Sequence, residues 1–537
     1  MRKENSNIFK IIFILLPVIY SIIYGPYGMG DDDRGFVFGL AWQYFYGAVP
    51  YSEIIYVRPP VTFMFHSLFL NFGNYAFIID RCFSYFQIAI YSYLAIKLLA
   101  YHFKQKINSE YVYFLSGLSF ILSAHTFPAM SWHTIDGVFF SVIGIYFIVR
   151  SKNPMIIFIG SIAVILAALS KQPFYITPIL IMLYLILEKD IKKIYVVTVG
   201  MLSASMLFVF YLKYMGIFSE YVDLTTGSVS LHDLIIVGVL NYVFFAKNII
   251  LYFIPPALFV RKNKIISSSK YFYALFIWSF PIMMYYYIMS DYYLFPPKNF
   301  FNTLLIIVVV MAFYQIIKLK DTKYYLPVVF LGISWATSVS WGYNSPVLFS
   351  APIVFVLGIG IYEGMMIKRK MIYPLIILIL AFITFFVAMR TPYSCSLDSC
   401  NITHKQEASE QTYKMEEVFP KLKYIYGDKY VYDEYIELKQ LIEEYGVNFT
   451  VLPNVTLIHY LSDTVNPIGI DWVMNAEINN NHEKFINMLE DKNVIVFLKK
   501  SKLDRKGFYG SEVAMHVRDT WLQIKAGDLF NVYQYKK

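Results

Sequence analysis

The chain has 537 residues, of which 58% are hydrophobic and 15% charged, and its mean hydropathy is +0.51. This balance excludes an ordinary soluble globular domain and indicates an integral membrane protein. The formal net charge of +9 does not indicate a nucleic-acid partner, because the excess of Lys and Arg lies in short loops between apolar segments of residues 1–390.

Apolar runs of about twenty residues can cross the hydrocarbon of a bilayer as helices, which satisfy their own backbone hydrogen bonds there. The sequence predicts a polytopic α-helical protein with about thirteen such helices. In chain order, the predicted spans are residues 9–26, 78–101, 111–127, 137–150, 155–170, 173–188, 194–214, 240–260, 271–290, 300–317, 325–340, 346–366 and 371–390. The stretch 226–260 also fits an interfacial helix followed by a span.

Positive residues occupy alternate loops, and this asymmetry predicts the orientation of the chain. The basic loops contain Arg2/Lys3/Lys10, Lys97/Lys104/Lys106, Arg150/Lys152, Lys189/Lys192/Lys193, Arg261/Lys262/Lys264, Lys318/Lys320/Lys323 and Lys368/Arg369/Lys370. The opposite loops contain chiefly Arg34, Arg58, Lys171 and Lys298. We therefore expect a cytoplasmic N-terminus and, with an odd number of spans, an extracytoplasmic C-terminal region, in the plasma membrane of a prokaryote.

Residues 391–537 differ in character from the apolar part. Short β-branched runs at Phe449–Leu452, Val494–Leu498 and Asn531–Tyr535 alternate with helical patterns at Tyr435–Tyr445 and His482–Leu489. This alternation predicts a small α/β domain. Since it contains no recognisable catalytic motif, we expect it to cap the outer mouth of the membrane domain, residues 1–390.

The first outward loop, residues 27–77, begins with the acidic run Asp31-Asp32-Asp33 followed by Arg34. Adjacent carboxylates at the end of a span repel one another and are costly unless a cation, a proton or Arg34 offsets them. Such a cluster suits a general base or a divalent-metal site. A solvated acidic loop tip is the structural alternative.

The same loop continues through Phe36–Tyr46, whose apolar and aromatic residues at helical spacing predict an interfacial helix lying flat on the bilayer. Further on, the Pro59-Pro60 pair stiffens the backbone next to Arg58. An arginine near the interface suits a phosphate, because its planar fork matches phosphate oxygens. Alternatively, Arg58 contacts a lipid head group or forms an ion pair with Glu53.

Two further outward loops contain candidate residues. His133 and Asp136 lie three residues apart at the start of a span, where they suit metal binding or acid–base chemistry; N-capping by Thr134 or Asp136 is the alternative. His133 and the aspartates of the first loop are also candidate ligands of a shared metal ion. Lys171, beside Gln172, breaks the positive-inside pattern, which indicates contact with an anion, either a bound ligand or a lipid phosphate.

Tyr293 and Lys298 belong to a late outward loop that is rich in aromatic and polar residues, as is the stretch 341–344. Such a rim suits stacking on sugar rings, although aromatic belts at membrane surfaces look the same. Carboxylates beside isolated cations at a membrane surface fit transfer from a lipid-linked phosphate donor. The cations would stabilise the departing phosphate, and a carboxylate would deprotonate the incoming hydroxyl.

In order and spacing, these motifs resemble those of the GT-C membrane glycosyltransferases, the group that contains protein O-mannosyltransferases and the aminoarabinose transferases of lipid A. The similar elements are the acidic run Asp31-Asp32-Asp33, the turn Gly47-Ala48-Val49-Pro50-Tyr51, the basic residue of Arg58-Pro59-Pro60, the second-loop acid Asp136 and the hairpin Ser170-Lys171-Gln172. The layout of spans over residues 1–390 is also similar.

The resemblance implies inverting transfer of one sugar from a polyprenyl-phosphate donor to a hydroxyl of a lipid, glycan or protein acceptor. It implies that Asp31–Asp33 supplies the base, that Arg58 and Lys171 hold the donor phosphate, and that Asp136 assists acceptor or metal binding. Counting back from Pro50 to the family's acidic pair favours Asp33 as the base. Aligning the motif on Arg34 instead favours Asp31 and Asp32. The residues assigned to the substrate rim are Arg34, His133, Gln172, Tyr293 and Lys298.

One departure concerns the metal: the family commonly has Glu as its second acidic residue, and no Glu follows these aspartates. Dependence on a divalent metal is therefore left open. The competing interpretations are a transporter or flippase of lipid-linked sugar, a polysaccharide polymerase or ligase, and a non-catalytic scaffold. A transporter would place its ionisable residues at mid-membrane rather than at the outer surface.

Overall fold

The computed structural model describes residues 6–29, 33–102, 109–124, 130–226, 322–339, 411–502 and 510–536, with a few isolated residues between 312 and 356. Outside the described residues lie Asp31, Asp32, Tyr293, Lys298, the side chain of Arg34, and all or most of the predicted spans at 240–260, 271–290, 300–317, 346–366 and 371–390.

The described part of residues 1–390 is almost entirely helical. Its helices are α1 (Ser6–Tyr24), α2 (Asp33–Phe45), α3 (Val61–His66), α4 (Ala76–His102), α5 (Ser109–Ala124), α6 (His133–Arg150), α7 (Pro154–Ala168), α8 (Ile176–Leu187), α9 (Ile191–Tyr214), α10 (Phe218–Thr226) and α11 (Tyr325–Ser338). Short 3₁₀ segments, Ser67–Tyr75 and Gln172–Tyr175, precede α4 and α8.

Several of these helices are apolar and coincide with predicted spans. Within the described residues, three helical stretches are long and apolar enough to cross a membrane: the continuous stretch Val61–His102, α6 and α9. Helices α1, α5, α7, α8 and α11 also contain apolar stretches, each of 10–17 residues. Most of α9 is exposed, and large apolar side chains such as Leu207 and Phe210 cover its surface, as expected for a helix that faces lipid.

Small residues let the apolar helices approach one another closely. A Cβ atom added to Gly144 of α6 would lie 2.7 Å from the carbonyl oxygen of Gly160 in α7. Glycines at such crossings allow backbone contact between membrane helices, where van der Waals packing takes the place of the hydrophobic effect. The close pairing of α6 and α7 fixes the two turns that carry His133 and Lys171.

The C-terminal part combines a mixed sheet with helices. Its strands are β1 (Tyr413–Lys414), β2 (Tyr426–Gly427), β3 (Phe449–Leu452), β4 (Ile495–Lys499), β5 (Leu522–Ala526) and β6 (Phe530–Gln534). Its helices are α12 (Lys429–Tyr445), α13 (Ile458–Leu461), α14 (His482–Asp491) and α15 (Glu512–Thr520). The strands predicted at Phe449–Leu452, Val494–Leu498 and Asn531–Tyr535 lie within one residue of β3, β4 and β6. The helix predicted at His482–Leu489 corresponds to α14, whereas the one predicted at Tyr435–Tyr445 begins earlier, at Lys429.

The main sheet has the strand order β3-β4-β6-β5, with β3 parallel to β4 and the other pairs antiparallel. Val451 and Phe497 on one face pack in the same core as α12, whereas Val496 and Leu498 on the other face pack with α14 and α15. Because both faces are covered, residues 495–498 of β4 are all apolar rather than alternating, and the strand ends at Lys499, which pairs with Glu434.

Helix α2 lies in contact with the C-terminal part. Its residues 35–43 are buried around the whole helix, and a Cβ atom on Gly39 would overlap the carbonyl oxygen of Thr456. The indole nitrogen of Trp42 donates to the carbonyl oxygen of Thr464 at 2.8 Å. The structure differs here from the flat interfacial helix predicted for Phe36–Tyr46. Glycine and aromatic residues of α2 let the C-terminal part pack against the face that we expected to contact lipid or water.

Candidate functional site

The backbone around Arg58 is fixed by side chains from two directions. Gln172 donates from Nε2 to the carbonyl oxygen of Val57 at 2.7 Å, and the Tyr51 hydroxyl donates to the carbonyl oxygen of Arg58 at 2.9 Å. Gln172, assigned to the substrate rim from the sequence, thus holds the loop that carries the arginine. With Pro59 following, the backbone of Arg58 has little freedom.

The guanidinium of Arg58 meets a carboxylate from the C-terminal part. Its two terminal nitrogens lie 2.7 and 2.6 Å from the Oε2 and Oε1 atoms of Glu477, a bidentate ion pair. Arg58 is 8% exposed and Glu477 is 1% exposed. Burial by itself lowers the pKa of Arg58, but Glu477 outweighs burial and holds the pKa above its ordinary value. The rings of Phe36 and Tyr56 flank the guanidinium.

Lys171 lies in the turn between α7 and the following 3₁₀ segment. Its ammonium donates to the Thr134 hydroxyl with a distance of 3.2 Å between Nζ and Oγ1, and both side chains are buried. Burial first, and the nearby Arg58 second, lower the pKa of Lys171 to about 7, although Asp33 and Glu477 act in the opposite direction. The lysine is therefore a cation whose charge changes near neutral pH.

Asp33 is the first residue of α2 and is partly buried. Its carboxylate raises the pKa of both Arg58 and Lys171, which places it in their electrostatic neighbourhood. The N-terminus of a helix also favours a carboxylate there. Thus one carboxylate and one cation from the first outward loop and a second cation from the turn after α7 lie in the same region.

His133, the first residue of α6, is also buried at this region. It packs on the ring of Trp132 with a centroid distance of 4.0 Å, and it interacts electrostatically with Lys171 and Arg58. Its Nδ1 atom has no hydrogen-bond partner among the described residues. Because buried polar atoms are normally hydrogen-bonded, this nitrogen suits a hydrogen bond to a ligand group that enters the site.

The described residues do not fit a divalent metal. No group of three His, Cys, Asp or Glu side chains within them could hold one. Asp33 and His133, the described members of the metal set considered from the sequence, both face Arg58 and Lys171. Asp31 and Asp32, the other members of that set, lie outside the described residues.

Asp136, on the same helix as His133, contacts a group of buried polar side chains. Its two carboxylate oxygens lie 3.2 Å from Nε2 of His66, and Oδ1 accepts from Nε2 of Gln87 at 2.7 Å. The other ring nitrogen of His66 contacts Asp80. All four side chains are completely buried. A protonated imidazole donates from both nitrogens, so His66 can link the two carboxylates.

Sequence reasoning missed Glu477, His66 and Gln87 as site residues. His66 and Gln87 carried a usable signal, because polar side chains inside apolar segments are costly unless partnered. Glu477 carried none: it lies among ordinary polar residues of the C-terminal part and meets Arg58 only through the tertiary fold.

Comparison of the sequence with known family profiles and with curated proteins gives no match. Among solved structures, the chain is similar to the oligosaccharyltransferase of Archaeoglobus fulgidus in its complex with Zn and sulfate. The identity is 14% and the TM-score 0.48, over 92% of this chain and 67% of that one.

The chain is also similar to ArnT from Cupriavidus metallidurans bound to undecaprenyl phosphate, with 9% identity and a TM-score of 0.43 over 98% of both chains. The apo state of ArnT gives 9% identity and a TM-score of 0.38, over 98% of this chain and 97% of that one. The oligosaccharyltransferase and ArnT are both GT-C fold glycosyltransferases, the group that the sequence motifs resemble. Similarities of this size do not identify a reaction.

Proposed function

We propose that the protein is an inverting glycosyltransferase, which moves a single sugar from a polyprenyl-phosphate donor to an acceptor hydroxyl at the extracytoplasmic face of a membrane. The observation that carries the proposal is the grouping of Asp33 with two buried cations, Arg58 and Lys171. A proton acceptor beside two phosphate-binding groups is what this transfer requires.

The reaction follows from these roles. Asp33 accepts the proton of the acceptor hydroxyl as its oxygen attacks the anomeric carbon from the face opposite the phosphate. The bond between that carbon and the phosphate oxygen breaks, and its electron pair stays on the phosphate. The configuration at the carbon inverts, and the products are a glycoside and a polyprenyl phosphate.

Negative charge grows on the phosphate during this step, because a phosphodiester with one charge becomes a monoester with up to two. Arg58 matches the phosphate oxygens with its planar fork. Lys171 adds a second cation, and a phosphate next to it favours its protonated form. Both cations are buried, where low polarity strengthens their attraction to the leaving group.

The C-terminal part contributes to the same region through Glu477, and its contact with α2 covers the segment that carries Asp33. We propose that residues 411–536 form an extracytoplasmic cover over the site. The acceptor is a hydroxyl of a lipid, a glycan or a protein, and its choice depends on the shape of the space beneath this cover.

A transporter of lipid-linked sugar is the second candidate, because the buried cluster of His66, Asp80 and Asp136 is of the kind that lines transport pathways. The cluster lies, however, at the end of α3 and in the first two turns of α4 and α6. Asp136 lies one turn after His133, which interacts with Arg58 and Lys171, so the cluster adjoins the proposed catalytic region, which favours the enzyme.

The test is transfer of radiolabelled sugar from a panel of polyprenyl-phosphate sugars by the purified protein in lipid. We expect Asp33→Asn to lower the rate by about 10²–10⁴-fold and Arg58→Lys to weaken use of the donor. Asp31→Asn tests the alternative base. The matched control is Asp223→Asn, which alters an exposed aspartate of α10.

Undiminished transfer in the Asp33, Asp31 and Arg58 variants would remove the site assignment. Absence of transfer by the wild type with every donor, together with measurable passage of lipid-linked sugar across the bilayer, would favour the transporter.

A further inference from the structure

The ion pair between Arg58 and Glu477 joins residues that are 419 positions apart in the sequence. Both oxygens of the carboxylate contact the two terminal nitrogens of the guanidinium, at 2.6 and 2.7 Å. A phosphate uses the same edge of an arginine, with two parallel N–H···O hydrogen bonds. Glu477 therefore occupies the edge through which the proposed function requires Arg58 to bind the donor.

We propose that Glu477 is a displaceable ligand of Arg58, which holds the place of the donor phosphate and leaves when the donor binds. The inference rests on the proposed function and extends it, since it makes a residue of the C-terminal part a determinant of donor affinity. Glu477 is thus a residue that acts through Arg58, not a group that touches the reacting atoms.

Charge explains why the exchange needs an anion. An arginine stays protonated in proteins, so Arg58 without Glu477 would be a buried cation with its main partner removed, which is strongly unfavourable. A neutral ligand cannot replace the carboxylate, whereas a phosphate can. The pair therefore selects for ligands that carry a negative charge.

The local backbone lets the glutamate move without unfolding. Glu477 lies in a run of turns, residues 475–480, between α13 and α14 rather than in a helix or strand. The run is anchored at Asn475, whose backbone N–H donates to the carbonyl oxygen of Gly510 at 2.9 Å and whose side chain accepts from the N–H of Glu512 at 3.0 Å. Rotation of the Glu477 side chain can release Arg58 while this anchor stays in place.

The donor must then compete with Glu477, so removal of the competing charge strengthens donor binding. Glu477→Gln keeps the size of the side chain and removes the charge. Glu477→Asp keeps the charge but is one methylene shorter, so it cannot keep the same bidentate contact. We expect both variants to bind polyprenyl phosphate more tightly than the wild type, Glu477→Gln by about tenfold or more.

The experiment measures the Kd of polyprenyl phosphate for the full-length protein in lipid nanodiscs. The matched control is Glu434→Gln, which removes another buried carboxylate of the C-terminal part, one paired with Lys499 at 2.5 Å and not with Arg58. We expect its Kd to equal that of the wild type. Hydrogen exchange of residues 475–480 should rise when polyprenyl phosphate is added to the wild type and should not change further in Glu477→Gln.

An unchanged Kd in Glu477→Gln would show that the pair only tethers the C-terminal part, and a weaker Kd would show that Glu477 positions Arg58 for the phosphate. Either result, with normal binding by the wild type, overturns this inference and leaves the proposed function standing. A wild type that neither binds polyprenyl phosphate nor transfers sugar overturns both.

Discussion

Lys171 and Thr134 connect two outward turns, with 3.2 Å between the ammonium nitrogen and the hydroxyl oxygen. The ammonium is buried and lies near Arg58, and these two causes lower its pKa from 10.5 to about 7. A lysine with this pKa is partly neutral under physiological conditions. The charge available to a donor phosphate therefore depends on pH.

We expect kcat/KM for the donor to fall as the pH rises above about 7, because Lys171 then loses the proton that makes it a phosphate ligand. The fall approaches about tenfold per pH unit where one proton controls the rate. The pH profile from 6 to 9 measures it. In Lys171→Arg the side chain stays charged throughout this range, so the fall should disappear.

Lys171→Met serves as the companion variant. It lacks the charge at every pH, so its kcat/KM should be low and should not show the fall above pH 7. A wild-type profile that stays flat between pH 6 and 8, or an arginine variant with the same fall as the wild type, would contradict the role given to Lys171.

The position of Lys171 depends on close packing between α6 and the 3₁₀ segment that follows the lysine, Gln172–Tyr175. A Cβ atom on Gly137 would overlap the ring of Phe174. We expect Gly137→Ala to destabilise the protein by about 1–3 kcal/mol and to weaken donor binding, because the 3₁₀ segment must move away from α6. Thermal unfolding and the donor Kd measure the two effects.

The second change Phe174→Leu provides room for the added methyl group. We expect the double variant to recover most of the donor affinity that Gly137→Ala loses, while Phe174→Leu by itself has a smaller effect. If Gly137→Ala binds the donor as well as the wild type, the packing of Phe174 does not position Lys171.

His66 holds two buried carboxylates together. In His66→Ala, Asp80 and Asp136 lose their shared partner inside an apolar helix bundle. We expect a loss of about 3–5 kcal/mol in stability, measured as a lower Tm in detergent. His482→Ala is the control: its pair with Glu512 is partly exposed, so its loss should stay below about 1 kcal/mol.

The double variant His66→Ala with Asp80→Asn separates charge from packing. Removing one of the unpartnered carboxylates should restore part of the stability that His66→Ala loses. A double variant less stable than His66→Ala would mean that the charges of Asp80 and Asp136 are not the cause of the loss.

Asp471 lies buried where the C-terminal part contacts α2. It accepts from Asn466 at 2.8 Å and from Gln43 at 3.3 Å, but burial dominates and raises its pKa from 3.8 to about 7. The nearby His459 does not offset this charge, because burial lowers its own pKa to about 3 and keeps it neutral.

The folded protein therefore keeps a proton on Asp471 at pH values where the unfolded chain has released it. Stability should fall as the pH rises from about 4 to about 7 and then level off. Asp471→Asn removes this dependence, so its Tm should fall less between pH 5 and 8 than that of the wild type. The exposed control Asp519→Asn should behave like the wild type; a wild type without the fall would contradict the prediction.

Local pattern was enough to predict most of the described elements. Strands β3 and β4 lie within one residue of the predicted runs, because β-branched clusters between turn residues define them locally. Helix α2 was predicted as a helix, but its burial against the C-terminal part was not predicted. Periodicity reports that a helix has an apolar face and does not report what packs on it.

The sequence by itself determined the membrane class of the protein, its helical character and the identity of Asp33, Arg58 and Lys171 as candidate residues, because hydropathy, charge and loop position are properties of short segments. Only the tertiary structure decided that Arg58 meets Glu477 and that Asp136 meets His66. Those pairings depend on how distant segments pack, and a buried charge takes the partner that the fold brings to it.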